Sequence, residues 1–263
     1  MTAQNNVQTW SDLHSHILPG IDDGARDVQI TKELLREEQR QWVSQVLCTP
    51  HFYPEKQSLT EFLDNRQRAF QQISASAEAQ SLQLQLGAEV AMSLALQGMD
   101  LRPLAMGNTK YILLEWPFGS YPLWGDAIVD AAFQQGLRPI FAHIERYHYF
   151  LGDLNRLRKY IEKGALCQMN ADSVLDVDFQ KQALRLIKQG YVHVLASDAH
   201  NMQSRAPNLA VAMEVVGDRL GSAFSQQLAE NADRVFHGEE VKTKHSTREK
   251  KSLWKKILKR DSR

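Results

Sequence analysis

Residues 136–143 read GLRPIFAH, and this stretch contains the unit from which the chain is built. A glycine ends a predicted helix, an apolar run typical of a buried strand follows at once, and a histidine stands at the end of the strand. A helix that ends at a glycine and is followed at once by a strand recurs at Gly164 and Gly190. The three glycines are separated by 28 and 26 residues, the length of one strand and one helix. The pattern predicts βα units and a mainly parallel sheet.

Seven apolar runs fit the description of a strand in such a unit. They are residues 10–14, 43–51, 82–89, 111–115, 139–143, 165–170 and 192–198. The intervals show helical patterns, of which the clearest begins at a capping box formed by Ser58 and Glu61. Because catalytic groups in α/β barrels come from the carboxyl ends of strands, we expect the polar residues that end these runs to share one face. Residues 1–241 are predicted to form one compact domain.

Composition excludes several classes of protein. With 263 residues, of which 43% are hydrophobic and 24% charged, the chain is neither disordered nor fibrous. No apolar run approaches the roughly 18 to 20 residues of a membrane span, and the first ten residues lack the basic and apolar regions of a signal peptide. Cys48 and Cys167 alone cannot build a disulfide framework or a Cys-rich zinc site, so we expect a cytoplasmic protein.

The net charge of zero hides two regions of opposite charge. Residues 242–263 carry ten Lys or Arg against two acidic residues, which leaves 21 basic and 29 acidic side chains in residues 1–241. An acidic body argues against nucleic acid as a partner. In the basic tail, apolar residues recur at helical spacing at Leu253, Trp254, Ile257 and Leu258. The tail is either an amphipathic helix for an anionic membrane surface or a solvated end with a short helix docked on the domain.

Histidines and carboxylates close most of the apolar runs. His14 and His16 form a His-x-His motif, and because strand side chains alternate, both imidazoles can bind one cation. The residues that close the later runs are His51, Glu89, Glu115, His143, Asp198 and His200. Each alone is typical of a capping carboxylate or a structural histidine. Together they predict a metal centre, because buried carboxylates are costly and like charges repel unless cations neutralise them.

These motifs resemble those of the PHP (polymerase and histidinol phosphatase) superfamily. The segments HSHILPGIDDG (14–24), TPHFYP (49–54), GAEV (87–90), HIERY (143–147) and SDAH (197–200) are similar to its CpsB/CapC branch, and the resemblance runs from about Trp10 to Phe236. It implies a distorted seven-stranded (β/α) barrel of the TIM-like, PHP type. It also implies a metal-dependent bacterial protein-tyrosine phosphatase that acts on the tyrosine autokinases controlling capsule or exopolysaccharide export.

The resemblance further implies three divalent metal ions. The first ion is assigned to His14, His16, Glu89 and Asp198. Glu89 then bridges to a second ion, which is completed by Glu115 and His143. The third ion is assigned to Asp23, His51 and His200. Asp23 is preferred to Asp22 because it stands just before Gly24. Imidazole and carboxylate ligands without thiolate suit manganese, iron or zinc, with manganese as the first expectation.

Two arginines stand close to the predicted ligands in sequence. Arg146 follows His143 by three residues and Arg205 follows His200 by five. Both match phosphate-binding arginines of the resembled family, and a guanidinium suits a dianionic ester. We therefore predict Arg146, Arg205 and Asp198 as catalytic residues, with surface ion pairing as the alternative for the arginines.

A cysteine nucleophile is excluded by spacing. Cysteine-based tyrosine phosphatases need an arginine six residues after the cysteine, where this chain has Pro54 and Ser173. The predicted nucleophile is a metal-bound hydroxide, without a covalent intermediate. Two loops carry aromatic residues that either form walls for a phenyl phosphate or close the barrel mouth, namely Phe52, Tyr53, Trp116, Phe118, Tyr121 and Trp124.

Two other functions remain open from the sequence. The chain could be another PHP phosphoesterase, acting on histidinol phosphate or nucleotides. It could also be a non-catalytic module that keeps metals for stability and uses its tail as a membrane adaptor, in peripheral contact with the inner face of the membrane.

Overall fold

Parallel strands alternate with helices along the chain. The computed structural model describes residues 9–243. The strands are β1 (Trp10–Ser15), β2 (Val43–Cys48), β3 (His51–Phe52), β4 (Gln83–Leu86), β5 (Glu89–Ala91), β6 (Tyr111–Glu115), β7 (Arg138–Phe141), β8 (Leu166–Asn170) and β9 (Val194–Ala196). The α-helices are α1 (Val28–Arg40), α2 (Leu59–Ile73), α3 (Ala77–Gln80), α4 (Gly125–Gln134), α5 (His148–Leu151), α6 (Leu154–Lys163), α7 (Ala171–Leu175), α8 (Gln180–Gln189), α9 (Leu209–Leu220) and α10 (Ser222–Phe236). The predicted mixed α/β class with parallel strands is confirmed.

Local sequence explains where several helices begin and end. The Ser58 side chain accepts a hydrogen bond of 3.2 Å from the backbone N–H of Glu61 at the start of α2, as the capping box predicts. At the ends of α6 and α8, Gly164 and Gly190 have φ angles of 117° and 80°, which glycine adopts without the strain of a Cβ atom. Each glycine thus ends a helix, and β8 or β9 follows within four residues.

The strands form two sheets that together make a curled parallel sheet. One sheet has the order β1-β2-β4, and the other has the order β3-β5-β6-β7-β8-β9. A bridge between Ser15 and Ala199 joins β1 to the chain after β9. The backbone N–H of Asp198 donates to the carbonyl oxygen of His14 over 2.8 Å at the same junction. The carboxyl end of β1 therefore lies beside the carboxyl end of β9.

Two of the seven predicted strands are divided in the structure. The predicted strand 43–51 becomes β2 and β3, and the predicted strand 82–89 becomes β4 and β5. Pro50 has no N–H to donate to a ladder, and a Cβ atom on Gly87 would lie 3.3 Å from Thr49 Cγ2. At this break the chain passes from one sheet to the other, and His51 becomes the direct register partner of Glu89.

A small apolar core fills the inside of the curled sheet. Its strand residues come from β1, β2, β6, β7, β8 and β9, and include Leu13, Leu47, Leu113, Ile140, Leu166 and Val194. Val235 and Phe236 of α10 and the following Val241 belong to the same cluster. A larger core lies between the sheets and the helices. The apolar interior leaves the carboxyl ends of the strands as the place where polar side chains collect.

The basic tail lies outside the described residues, and the two interpretations of Leu253, Trp254, Ile257 and Leu258 stay predictions. Val241 and Thr243 are buried, and Arg138 Nη2 donates to the carbonyl oxygen of Val241 over 2.7 Å, so packing continues past the predicted boundary at residue 241. None of the helices within residues 9–243 has the length and hydropathy needed to cross a membrane.

Candidate metal centre

The nine predicted ligands lie together at the carboxyl ends of the strands. They are held by β1 and the loop that follows it, by the first residues of β3 and β5, by the end of β6 and by the segments after β7 and β9. In β1, Asp12 pairs with Val46 and Ser15 with Cys48, so that three residue steps oppose two and a β-bulge redirects the side chains. Two ligand positions, His143 and Asp198, have φ angles of 30° and 55°. Such backbone strain in residues other than glycine concentrates at functional sites.

The first predicted ligand group is compact and buried. His14 Nε2 lies 3.1 Å from His16 Nε2, and each of these nitrogens lies 3.1 Å from Glu89 Oε2. Asp198 Oδ1 is 3.3 Å from His14 Nε2 and 3.4 Å from His16 Nε2. This carboxylate oxygen is buried and has no hydrogen-bond partner among residues 9–243. One cation among the four atoms would satisfy them together, since all four can act as ligands.

The second group surrounds Glu89 on its other side. Glu89 Oε1 lies 2.7 Å from His143 Nε2, and Glu115 Oε1 lies 3.6 Å from the same nitrogen. His51 Nδ1 also approaches Glu89 Oε2 to 3.1 Å, so that His51, Glu89 and Glu115 form a ligand group as well. Burial and the charge of Glu89 raise the pKa of Glu115 to about 8. A cation bound here would favour the charged form of Glu115, because it would neutralise the converging carboxylates.

The third group contains Asp23. Its Oδ1 atom lies 3.5 Å from His51 Nε2 and 3.5 Å from His200 Nε2, and the His200 nitrogen is buried without a hydrogen-bond partner. The Asp23 side chain is 65% exposed, which leaves this side of the cluster open to solvent. His51 therefore contacts two of the three groups through its two ring nitrogens.

Asp22 and Asp23 have different surroundings. The Asp22 carboxylate lies 2.7 Å from His16 Nδ1 and accepts the backbone N–H of His51 over 3.0 Å. Burial alone would raise the pKa of Asp22, but the adjacent His16 and these hydrogen bonds lower it to about 2. A Cβ atom on Gly24 would lie 2.0 Å from the His16 carbonyl oxygen, so only glycine lets this loop pack on β1. Asp22 contacts His16, whereas Asp23 faces His51 and His200, and the preference for Asp23 as a ligand stays a prediction.

Several supporting residues were missed by the sequence analysis. Gln168 Oε1 accepts the backbone N–H of His143 over 2.7 Å and lies 3.2 Å from His14 Nδ1. Asn170 Nδ2 donates to Asp198 Oδ2 over 2.7 Å. Partners of this kind fix the orientation of metal ligands. Gln168 and Asn170 are polar residues two positions apart in a buried strand, so their side chains point to the same face. This pattern is the sequence feature that could have indicated their role.

Tyr147 is a further missed partner, with its hydroxyl 3.1 Å from His143 Nδ1. The same hydroxyl oxygen accepts the backbone N–H of Trp116 over 3.0 Å. This tie holds the loop after β6 against the His143 imidazole. Tyr147 lies in the quoted HIERY motif, but its spacing alone gave no indication of this contact.

The two predicted arginines lie beside the ligand cluster. Arg205 Nη2 donates to Asp198 Oδ2 over 2.5 Å. The Arg146 side chain is exposed, with its guanidinium 4.6 Å from the centre of the Phe118 ring. Arg205 is thus partly engaged by a predicted ligand, whereas Arg146 projects toward solvent at the edge of the cluster.

The six aromatic residues divide into core and site. Phe52 and Trp116 are fully buried among other rings, so of the two interpretations, substrate walls or closure of the barrel mouth, the first does not apply to them. The Tyr53 ring stacks on His51 at 4.9 Å, and the Phe118 ring stacks on His143 at 5.9 Å. Tyr121 stacks on Trp116 and shares hydrogen bonds with Asp126 and Tyr160. Trp124 is partly buried against the main core. Of these six residues, Tyr53 and Phe118 stack on imidazoles of predicted ligands.

Fold and site define an α/β protein with a His and carboxylate cluster, suited to metal binding, at the carboxyl edge of a curled parallel sheet. The sequence model of the family described as "Capsular polysaccharide synthesis, CpsB/CapC" matches residues 10–237. The chain belongs to this family, and the resemblance found in the sequence is confirmed.

Relatives and solved structures agree with this assignment. The tyrosine-protein phosphatase YwqE of Bacillus subtilis is 30% identical over 240 residues, which cover 88% of this chain and 92% of the relative. The tyrosine-protein phosphatase CpsB of Streptococcus pneumoniae is 28% identical, over 82% of this chain and 93% of the relative. A chain from the crystal structures of these two proteins, described as unique metal-dependent tyrosine phosphatases, superposes with a TM-score of 0.80 at 26% identity. It covers 89% of this chain and 97% of its own length.

Proposed function

We propose that this chain is a metal-dependent protein-tyrosine phosphatase that hydrolyses phosphotyrosine on a protein. The observation that carries the proposal is the buried cluster of imidazole nitrogens and carboxylate oxygens at one sheet edge, several of them without hydrogen-bond partners. The names and metal dependence of the relatives support the same activity. We also infer that the two sheets together form the distorted (β/α) barrel of the PHP type.

Three ions would be held as the resemblance implies, with Glu89 between the first two. When bound, divalent cations supply charge that stabilises phosphoryl oxygens and activate water at neutral pH. Manganese is the first expectation, and iron or zinc has the same kinds of ligand. Gln168, Asp22 and Tyr147 keep the imidazoles His14, His16 and His143 in place. The chain thereby supplies a rigid set of ligands before substrate arrives.

Arg205 and Arg146 would bind the phosphoryl group. Arg205 is held by Asp198, which leaves the rest of its guanidinium to donate hydrogen bonds to a phosphoryl oxygen. Arg146 carries its charge at the exposed rim beside Phe118. The two cations would counter the dianionic ester, and the exposed setting of the rim leaves room for a tyrosine on a polypeptide.

The protein substrate is proposed to be a bacterial tyrosine autokinase of capsule or exopolysaccharide synthesis. A direct test compares kcat/KM for a phosphotyrosine peptide with kcat/KM for histidinol phosphate and for a nucleoside monophosphate, using the manganese-loaded protein. We expect the peptide to be preferred by about a hundredfold or more. Preference for either small molecule would make the chain another PHP phosphoesterase. If the metal-loaded protein hydrolyses no aryl phosphate, the remaining interpretation is the non-catalytic membrane adaptor.

Phe118 is expected to contribute to recognition of the tyrosine ring. Its side chain is 52% exposed and stacks on His143, so an aryl group bound at the metal centre would meet an aromatic surface. In Phe118→Ala, kcat/KM for 4-nitrophenyl phosphate should fall about tenfold, since an aromatic pair and the buried area contribute about 1 to 2 kcal/mol. The value for glycerol 2-phosphate should change by less than about threefold.

The matched control for Phe118 is Leu123→Ala. Leu123 lies in the same loop and is 91% exposed. In this variant, kcat/KM for 4-nitrophenyl phosphate and kcat/KM for glycerol 2-phosphate should both equal the wild-type values within experimental error. An equal loss for aryl and alkyl phosphates in Phe118→Ala would show that the ring supports the loop and does not recognise the substrate.

The basic tail is proposed to bring the enzyme to an anionic membrane surface. Because Val241 and Thr243 are buried, the truncation should begin at residue 244 and leave the packed segment intact. In a flotation assay, the full chain should float with vesicles containing phosphatidylserine, and the truncated chain should stay with the protein fraction. Equal binding of the full chain to anionic and neutral vesicles would contradict the electrostatic attachment.

A further inference from the structure

A second polar cavity lies between α2, the end of β4 and the end of α10. Its volume is about 650 Å³, which is in the range of small-molecule sites. None of the nine predicted metal ligands lines it. The ionisable residues of its lining are Arg66, Arg102 and His237, and no acidic residue is among the lining residues. Arg102 and His237 pair with Asp100 and Asp233 outside the lining, so among the described residues Arg66 is the lining cation without a carboxylate partner.

Arg66 is the most buried of these three side chains. Its Nη1 donates to the Gly87 carbonyl oxygen over 2.6 Å, and its Nη2 donates to the Pro103 carbonyl oxygen over 3.2 Å. Its Nε atom is buried, and within residues 9–243 it has no hydrogen-bond partner. Burial lowers the pKa of Arg66 to about 10. A largely buried guanidinium without a carboxylate is unfavourable, because buried charges need a counter-charge.

The rest of the lining suits the body of a polar molecule. Gln85 Oε1 is a buried acceptor without a hydrogen-bond partner in the described part of the chain. Arg102 is 68% exposed and pairs with Asp100 through Nε and Nη2, at 2.7 Å and 3.0 Å. Asn108 lies exposed at the rim, and Phe236 supplies an apolar wall. Cations, an amide acceptor and an apolar wall together match an anionic head on an organic body.

We propose that this cavity binds a small organic phosphate, such as a sugar phosphate, with its phosphate group on Arg66 and Arg102. A phosphate is favoured over a single carboxylate because two arginine side chains line the cavity and a phosphate monoester is a dianion. The guanidinium group also matches phosphate oxygens geometrically. The proposal is independent of the metal centre, since no ligand of that centre takes part.

Titration with glucose 6-phosphate tests the proposal. The zinc-loaded Asp198→Asn protein would be used, so that the metal centre does not consume the probe and paramagnetic broadening is avoided. The histidine ring signals are followed by NMR, and the His237 signal is assigned by its loss in His237→Gln. We expect a saturable shift of the His237 signal. A shift that glucose 6-phosphate and sodium chloride produce alike at equal ionic strength, or no shift, would overturn the proposal.

Charge variants locate the binding. Asn108→Asp adds a negative charge at the rim without changing shape, and Arg102→Ala removes an exposed cation. Each should raise the Kd read at His237 by about fivefold, and neither residue is buried, so the fold is kept. The control is Arg68→Ala, since Arg68 lies on the exposed side of α2 and does not line the cavity. An unchanged Kd in both rim variants, or an equal loss in Arg68→Ala, would contradict a phosphate site here.

Discussion

Replacing Asp198 by asparagine should lower kcat for a phosphotyrosine peptide by about a thousandfold or more, while the protein stays folded. The carboxylate lies between the predicted ligands His14 and His16 and the proposed phosphate-binding Arg205. Its Oδ1 atom lies 3.3 Å and 3.4 Å from the two imidazole nitrogens of His14 and His16, and its Oδ2 atom accepts from Arg205 and Asn170. An amide of the same shape removes the negative charge and leaves one oxygen to serve both sides. Losing about 4 kcal/mol of transition-state stabilisation corresponds to that factor.

The measurement is steady-state kinetics together with metal content and circular dichroism of the same samples. Asp64→Asn is the matched control, because Asp64 is exposed on α2 and should keep wild-type turnover. His143→Ala is a second variant of the centre. It removes the nitrogen that lies 2.7 Å from Glu89 and should cause a loss of similar size. Full activity of Asp198→Asn or His143→Ala at full metal content would contradict the proposed active site.

Local patterns in the sequence predicted the strand-and-helix units and the His and carboxylate residues that close the strands, whereas the full set of nine candidate ligands, with Asp23, came from the family resemblance. Helix-ending glycines and apolar runs are short-range features, and a residue just after a strand in a parallel sheet must lie at the same edge as its counterparts. The division of the predicted strand 43–51 was not foreseen. It depends on Gly87 packing against Thr49, a contact between segments nearly forty residues apart in the chain.

Supporting side chains were harder to predict than ligands. Gln168 contacts His14 and the backbone of His143, which belong to different strands, so its role follows from the sheet order and not from its neighbours in sequence. The aromatic loops show the same limit. Trp116 and Phe118 are two residues apart, yet one ring is buried in the core and the other is half exposed beside the cluster. Residue type alone does not give the direction of a side chain in a loop.

Removal of the metal ions should abolish hydrolysis and also lower the thermal stability. Without cations, Glu89, Glu115 and Asp198 converge in a buried space, where like charges repel and desolvation is costly. Each ion present at about a hundred times its Kd would stabilise the fold by about 2.7 kcal/mol. For a chain of this size, that corresponds to a fall in Tm of about 5 to 10 °C for each ion removed. Dialysis against a chelator, followed by turnover and thermal melting, measures both effects, and added manganese should restore them.

Thiol alkylation separates this mechanism from one based on cysteine. Both cysteines are buried, and burial raises the pKa of Cys48 to about 12, so neither thiolate is available as a nucleophile at neutral pH. Iodoacetamide should therefore leave the activity of the manganese-loaded protein unchanged, whereas the chelated protein is inactive before and after alkylation. Turnover by protein that elemental analysis shows to be metal-free would contradict a catalytic role of the metal centre. Inactivation of the metal-loaded, folded enzyme by iodoacetamide would indicate that a cysteine takes part in the reaction.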